Sequence, residues 1–84
     1  MRILLIEDDT VLGAAIRDQI AGDGQSVDWM TRLDGADDAM AVAQYDLILL
    51  DLMLPDGRGI NFLKSLRARG DVTPVIILTA LDQI

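Results

Sequence analysis

The sequence predicts an α/β fold: a parallel sheet with helices on both faces. Three observations carry that expectation. Leu47, Ile48, Leu49 and Leu50 form an unbroken apolar run, which leaves no polar face and suits a central strand covered on both sides. Two further runs, Ile3-Leu4-Leu5-Ile6 and Val75-Ile76-Ile77-Leu78, have the same character. Segments with helical spacing alternate with these runs over short links, as right-handed βαβ crossovers require.

In chain order, Arg2 to Ile6 reads as the first strand, and Thr10 is expected to cap a helix whose Leu12, Ile16 and Ile20 recur every fourth residue. Gly22-Asp23-Gly24 ends it. Residues 25–30 alternate loosely, with Val27 and Trp29 on one face and Ser26 and Asp28 on the other, which predicts a short edge strand. Asp34 precedes a second helix in which Ala36, Ala39, Met40 and Ala43 share a stripe, ending near Gln44. The central strand follows, then a turn at Pro55-Asp56-Gly57. Residues 60–69 read as a third helix with Phe62, Leu63 and Leu66 inward, basic Arg67 and Arg69 at its end, and Gly70 as its stop. Pro74 opens the strand over residues 75–78, which is wholly apolar and expected to be buried.

Composition narrows the chemistry. The 84 residues make at most one domain, and a chain this small buries only ~60% of its extended surface. A formal charge of −7 disfavours contact of this segment with nucleic acid or anionic lipid. With no Cys and no His, neither a thiolate metal site, a disulfide nor an imidazole base is available, so carboxylates must carry any reaction. The opening apolar stretch is too short for a signal-peptide core, and no run approaches ~18 residues, so a cytoplasmic chain without membrane contact is expected.

The strand ends are where those carboxylates lie. Asp51 closes the central run, and Glu7-Asp8-Asp9 directly follows the first. Ligands of open α/β sheets bind at the carboxyl ends of the strands. If the two strands are parallel neighbours, their acids meet, and a nest of carboxylates asks for a cation. A lone Asp at a strand end is commonly a solvated turn residue, and Glu7-Asp8-Asp9 could be a negative helix start, a role that suits Asp9. Trp29 and Met40 read as packing residues, Asp37-Asp38 as a solvated helix face, and Asp56 and Arg58 as loop surface.

Three blocks together resemble a receiver domain of the two-component response regulators, in the branch that carries OmpR/PhoB-type DNA-binding domains. They are Ile3 through Asp9, Asp46 through Gly59 with its Asp51-Leu52-Met53-Leu54-Pro55-Asp56-Gly57, and Pro74 through Ala80. The resemblance implies a flavodoxin-like sheet of order 2-1-3-4-5, here cut after the fourth strand to 2-1-3-4. It implies Asp51 as phosphoacceptor for a sensor histidine kinase, and Glu7 and Asp8 as the acidic pair. Mg²⁺ would be held by Asp8, Asp51 and the Met53 backbone carbonyl, with Glu7 acting through water. Thr79 matches the hydroxyl that senses the phosphoryl group, Pro55 and Gly59 match residues that shape the loop after the acceptor, and the output would be a downstream DNA-binding domain. The function so implied is a signalling module and not an enzyme.

The family's lysine at the end of a fifth strand has no counterpart. The sole lysine, Lys64, falls in the third helix. Most of the fourth helix, the fifth strand and the fifth helix are likewise unmatched, so the resemblance implies an incomplete receiver over residues 1–84. Two other readings compete: a truncated receiver that is not phosphorylated and serves only protein association, and an aspartate-nucleophile phosphohydrolase of the haloacid-dehalogenase kind. The latter expects a second Asp two residues after the nucleophile, where this chain has Met53. Without a fifth strand, residues 75–78 form an open apolar edge, which invites dimerisation or strand or helix exchange between copies. Sedimentation at high concentration is expected to show dimers or larger species, and a well-folded monomer would contradict this.

Overall fold

The computed structural model describes residues 1–78. Strand β1 (Arg2–Ile6), helix α1 (Thr10–Gly22), β2 (Ser26–Met30), α2 (Leu33–Val42), β3 (Leu47–Leu50), β4 (Met53–Leu54), β5 (Gly57–Arg58), α3 (Gly59–Ala68) and β6 (Val75–Ile77) follow one another. The main sheet is parallel throughout, as the alternation of elements predicts, and its order β2-β1-β3-β6 is the flavodoxin-like one that the resemblance implies. β2 is an edge strand, as read. The β4–β5 pair is a small antiparallel hairpin beyond the central strand that periodicity does not reveal, since each arm has two residues.

The core lies on one face of the sheet. Leu4, Ile6, Ile48 and Leu50 point to the same side, as strand alternation requires, and pack with Ala36 and Ala39 of α2, Phe62 and Leu66 of α3, and Tyr45. Fully burying side chains such as Leu4, Ile48, Leu50 and Leu66 contributes about 1.5–3 kcal/mol each. Small residues on the inner stripe of α2 let it approach the sheet closely, as the sequence predicts. Ile3 and Leu5 alternate onto the opposite face, which α1 covers, and both are buried.

Several local expectations are corrected. The cap of α1 is Asp9, not Thr10: the Asp9 carboxylate accepts from the N–H groups of Val11 and Leu12, both at 3.0 Å, and Thr10 is the first helical residue. Leu12 is exposed, because α1 meets the sheet through Gly13, Ile16 and Ile20. The last strand is less buried than its apolar run suggests. Val75 and Ile77 face the core, while Ile76 points to the α1 side and is 51% exposed, since α1 reaches over β1 and β2 and not as far as β6. Leu47 and Leu49 are half-buried on that side for the same reason.

At the amino ends of the strands, Arg2 and Asp28 form an ion pair at 2.9 Å, and the Tyr45 hydroxyl donates to the same Asp28 oxygen at 2.6 Å. The Arg2 guanidinium lies 5.3 Å from the Tyr45 ring centre. Burial and the bond to Asp28 push the Tyr45 hydroxyl up to about 12, while Tyr45 and Arg2 hold Asp28 below the usual carboxylate range. The cluster pins β1, β2 and the start of β3 together at the end of the sheet away from the acids. Among the described residues no helix is long and apolar enough to cross a membrane.

Asp56 has a defined structural role that its loop position concealed. From the β4–β5 turn its carboxylate accepts from the N–H groups of Leu33 (2.8 Å) and Asp34 (3.0 Å), with Arg32 at 3.7 Å. It caps α2, whose own N-cap residue, Arg32, makes no side-chain cap bond. The Leu33 N–H, then the Asp34 N–H and Arg32, hold the Asp56 carboxyl below its usual range. A depressed folded pKa stabilises above the unfolded pKa, and that stabilisation is lost as pH falls through the folded one. Asp56→Ala is therefore expected to lower the melting temperature by a few degrees at neutral pH, with the deficit shrinking in acid. An unchanged melting curve would contradict the capping role.

Candidate functional site

Register brings the acids together. β1 and β3 pair Ile6 with Leu50, so the next residues, Glu7 and Asp51, stand level at the carboxyl end of the sheet. The ladder continues into the site: the Asp51 N–H donates to the Ile6 carbonyl at 2.9 Å and the Glu7 N–H to the Met30 carbonyl at 3.0 Å. Glu7 is 1% and Asp51 4% exposed, while Asp8 lies at the surface. Glu7, Asp8 and Asp51 each offer a carboxylate oxygen, and the three oxygens lie within 4.8 Å of one another.

The loop after Asp51 is held against it. Met53 N–H donates to Asp51 Oδ1 at 3.0 Å, which folds the chain back into a tight turn beside the carboxylate. Gly59, the first residue of α3, donates its N–H to the Leu52 carbonyl at 2.8 Å. A Cβ at Gly59 would run into the Asp51 carbonyl oxygen, so the close approach of α3 to this loop needs glycine. The match of Gly59 to a loop-shaping residue thus has a steric basis. Pro55 opens the turn of the β4–β5 hairpin. Thr79, expected at the end of the last strand, lies outside the described residues. β6 pairs Ile77 with Leu50, and the Leu78 N–H donates to the Leu50 carbonyl at 2.9 Å.

The cluster concentrates carboxylates in a largely buried place. Glu7 Oε2 accepts from the Asp9 N–H at 3.3 Å, a long bond, and Oε1 has no hydrogen-bond partner among the described residues although it is buried. Burial pushes the Glu7 carboxyl up to about 8, helped by the Asp51 carboxylate against it, with which a protonated Glu7 would share its hydrogen, and by the charge of Asp8. Three carboxylate oxygens within 4.8 Å of one another, two of the residues buried, fit a divalent cation with hard oxygen ligands, such as Mg²⁺. The structure brings Glu7, Asp8 and Asp51 together, with the Met53 N–H on the Asp51 carboxylate.

One contributor escaped the sequence reading. Trp29 packs between α1 and β2, as expected of it, but its indole N–H also donates to the Glu7 carbonyl at 2.8 Å. An edge-strand Trp gives no local sign of that bond. The only hint is Gly13, a glycine inside a helix, where a Cβ would run into the Trp29 ring.

Comparison with known proteins agrees with the geometry. The family model described as "Response regulator receiver domain" matches residues 3–84. The chain is 43% identical over its full length to the response regulator protein PmrA of Pseudomonas aeruginosa and 44% identical to the transcriptional regulatory protein QseB of Escherichia coli O157:H7, and it spans 38% of the length of each. Among solved structures it resembles the receiver domain of the Francisella response regulator 1452, with a TM-score of 0.90 and 33% identity, over 96% of this chain and 67% of that one. It also resembles the MaeR response regulator bound to beryllium trifluoride, with a TM-score of 0.88 and 32% identity, over 95% of this chain and 67% of that one. With the acids gathered at the carboxyl end of a β2-β1-β3-β6 sheet, these similarities establish that the chain belongs to the response regulator receiver domain family.

Proposed function

We propose that this chain is a phosphoacceptor switch, in which Asp51 takes a phosphoryl group from the phosphohistidine of a sensor kinase in the presence of Mg²⁺. The observation that supports this reading is the cluster itself: Glu7, Asp8 and Asp51 each offer a carboxylate oxygen within 4.8 Å of the others, and Glu7 and Asp51 are buried. Asp8, Asp51 and the Met53 carbonyl would hold the ion, with Glu7 acting through water. Bound there, Mg²⁺ supplies the positive charge that lets an anionic carboxylate approach an anionic phosphoryl group.

The chain's own residues do the rest. A carboxylate oxygen of Asp51 forms a bond to phosphorus as the phosphorus–nitrogen bond of the donor breaks, the imidazole leaving with the electron pair. The Met53 N–H on Asp51 Oδ1 fixes the orientation of the carboxylate at the end of β3. The resulting acyl phosphate adds negative charge and acceptor oxygens at the rim, which draw in the Thr79 hydroxyl and shift the adjoining surface. The relatives are named as transcriptional regulators, and we propose the same kind of output for the whole protein, through a DNA-binding domain. Association with a second copy is a further reading, favoured by β6 as the outermost described strand and by the half-exposed Ile76.

Two outcomes test the site. Acetyl phosphate with Mg²⁺ is expected to add one phosphoryl group, seen by intact mass, and the addition should disappear with chelator or in Asp51→Asn. Labelling that survives either change would overturn the proposal. Glu7 also makes metal-free stability depend on pH. Its folded pKa of about 8 lies above the ordinary carboxylate value, so between the two only the folded state keeps the proton, and rising pH favours unfolding. The metal-free melting temperature is expected to fall as pH rises from mildly acid through about 8, and Glu7→Gln should flatten that slope. An equally steep slope in Glu7→Gln would assign the effect elsewhere.

A further inference from the structure

Trp29 is the single tryptophan of the chain and the penultimate residue of edge strand β2. The β1–β2 ladder ends beside it, with Ile6 paired to Met30. One residue further, the Glu7 N–H still donates to the Met30 carbonyl at 3.0 Å, but the Glu7 carbonyl takes its hydrogen from the Trp29 indole at 2.8 Å. A side chain thus completes the ladder at the residue where the acid site begins. A buried carbonyl needs such a donor.

The surroundings of the ring are shaped to allow this. Gly13 is the buried residue of α1, and any side chain there would occupy the space of the indole. One turn later Arg17 lays its guanidinium 5.3 Å from the ring centre, on the solvent side. Packing alone would be satisfied by a smaller apolar residue on β2 and an ordinary residue at position 13. The combination of a helix glycine and an indole N–H aimed at a site residue's backbone goes beyond that. With its N–H on Met30, its carbonyl on Trp29 and Oε2 on the Asp9 N–H, Glu7 has little freedom, and its carboxylate is thereby kept buried at the cluster with Asp8 and Asp51.

We propose that Trp29 is a positioning residue of the acid site: its hydrogen bond to the Glu7 carbonyl orients the Glu7 peptide and so sets the affinity of the Glu7, Asp8 and Asp51 cluster for a divalent cation. The inference rests on the Mg²⁺ reading above and adds a residue that does not touch the ion. Calorimetric titration of the full chain with Mg²⁺ tests it, at a temperature where circular dichroism shows each protein folded. Loss of stability alone does not change affinity measured on folded protein.

Trp29→Phe removes the donor and keeps an aromatic ring, and replacement by benzothienylalanine removes the donor while keeping the bicyclic volume. Each is expected to weaken Mg²⁺ binding about three- to tenfold, the range of one hydrogen bond. Arg17→Ala, which uncovers the ring without removing the N–H, should leave affinity unchanged. Wild-type affinity in both donor-less proteins would overturn the proposal alone. No Mg²⁺ binding by the wild-type chain, or binding unaltered by Asp51→Asn, would overturn the site reading and this proposal with it.

Discussion

The parallel pairing of Ile6 with Leu50 governs this molecule, because it sets two buried carboxylates, Glu7 and Asp51, level at the same end of the sheet. Two full charges about 5 Å apart repel by about 3 kcal/mol at an effective dielectric of about 20. That is a large share of the ~5–15 kcal/mol by which a whole domain is stable. The fold bears it by hydrophobic burial on one side of the same strands, where Leu4, Ile6, Ile48 and Leu50 lie against α2 and α3. A proton on Glu7 relieves the repulsion, and a divalent cation bound there would relieve it while leaving both carboxylates ionised.

Much of the remaining structure keeps that juxtaposition in place. Gly59 lets α3 start against the Asp51 carbonyl, the Met53 N–H holds one Asp51 oxygen, and Trp29 and Met30 hold the Glu7 peptide. Asp56 ties the loop after Asp51 to the start of α2. That loop is therefore connected both to Asp51 and to a helix N-terminus, so a change of charge at Asp51 would act on an element already anchored at two points. At the opposite end of the sheet, the Arg2, Asp28 and Tyr45 cluster fastens the strands where no chemistry is expected.

What the sequence makes legible here is what depends on local pattern. Unbroken apolar runs identify β1 and β3, and the acids directly after them cluster because a parallel sheet places every strand's end on the same edge. The alanine stripe of α2 and the Gly70 stop of α3 are equally local. What could not be read depends on contacts between distant segments. Asp56 caps a helix that begins 23 residues earlier in the chain, and Trp29 bonds to a carbonyl 22 residues away. The choice of Asp9 over Thr10 as cap is decided by where the chain leaves β1, since either side chain has the chemistry to cap. The exposure of Ile76 follows from how far α1 reaches across the sheet, which its hydrophobic periodicity does not encode.

The central claim is that Glu7, Asp8 and Asp51 form one divalent-cation site. Paramagnetic Mn²⁺ substituted for Mg²⁺ tests it most directly, through loss of amide NMR signals near the ion. Signals of residues 7–9 and 51–53 are expected to vanish first at low Mn²⁺, and to return when excess Mg²⁺ competes. First losses around Asp34 and Asp37, or uniform weak broadening over the acidic surface, would contradict it.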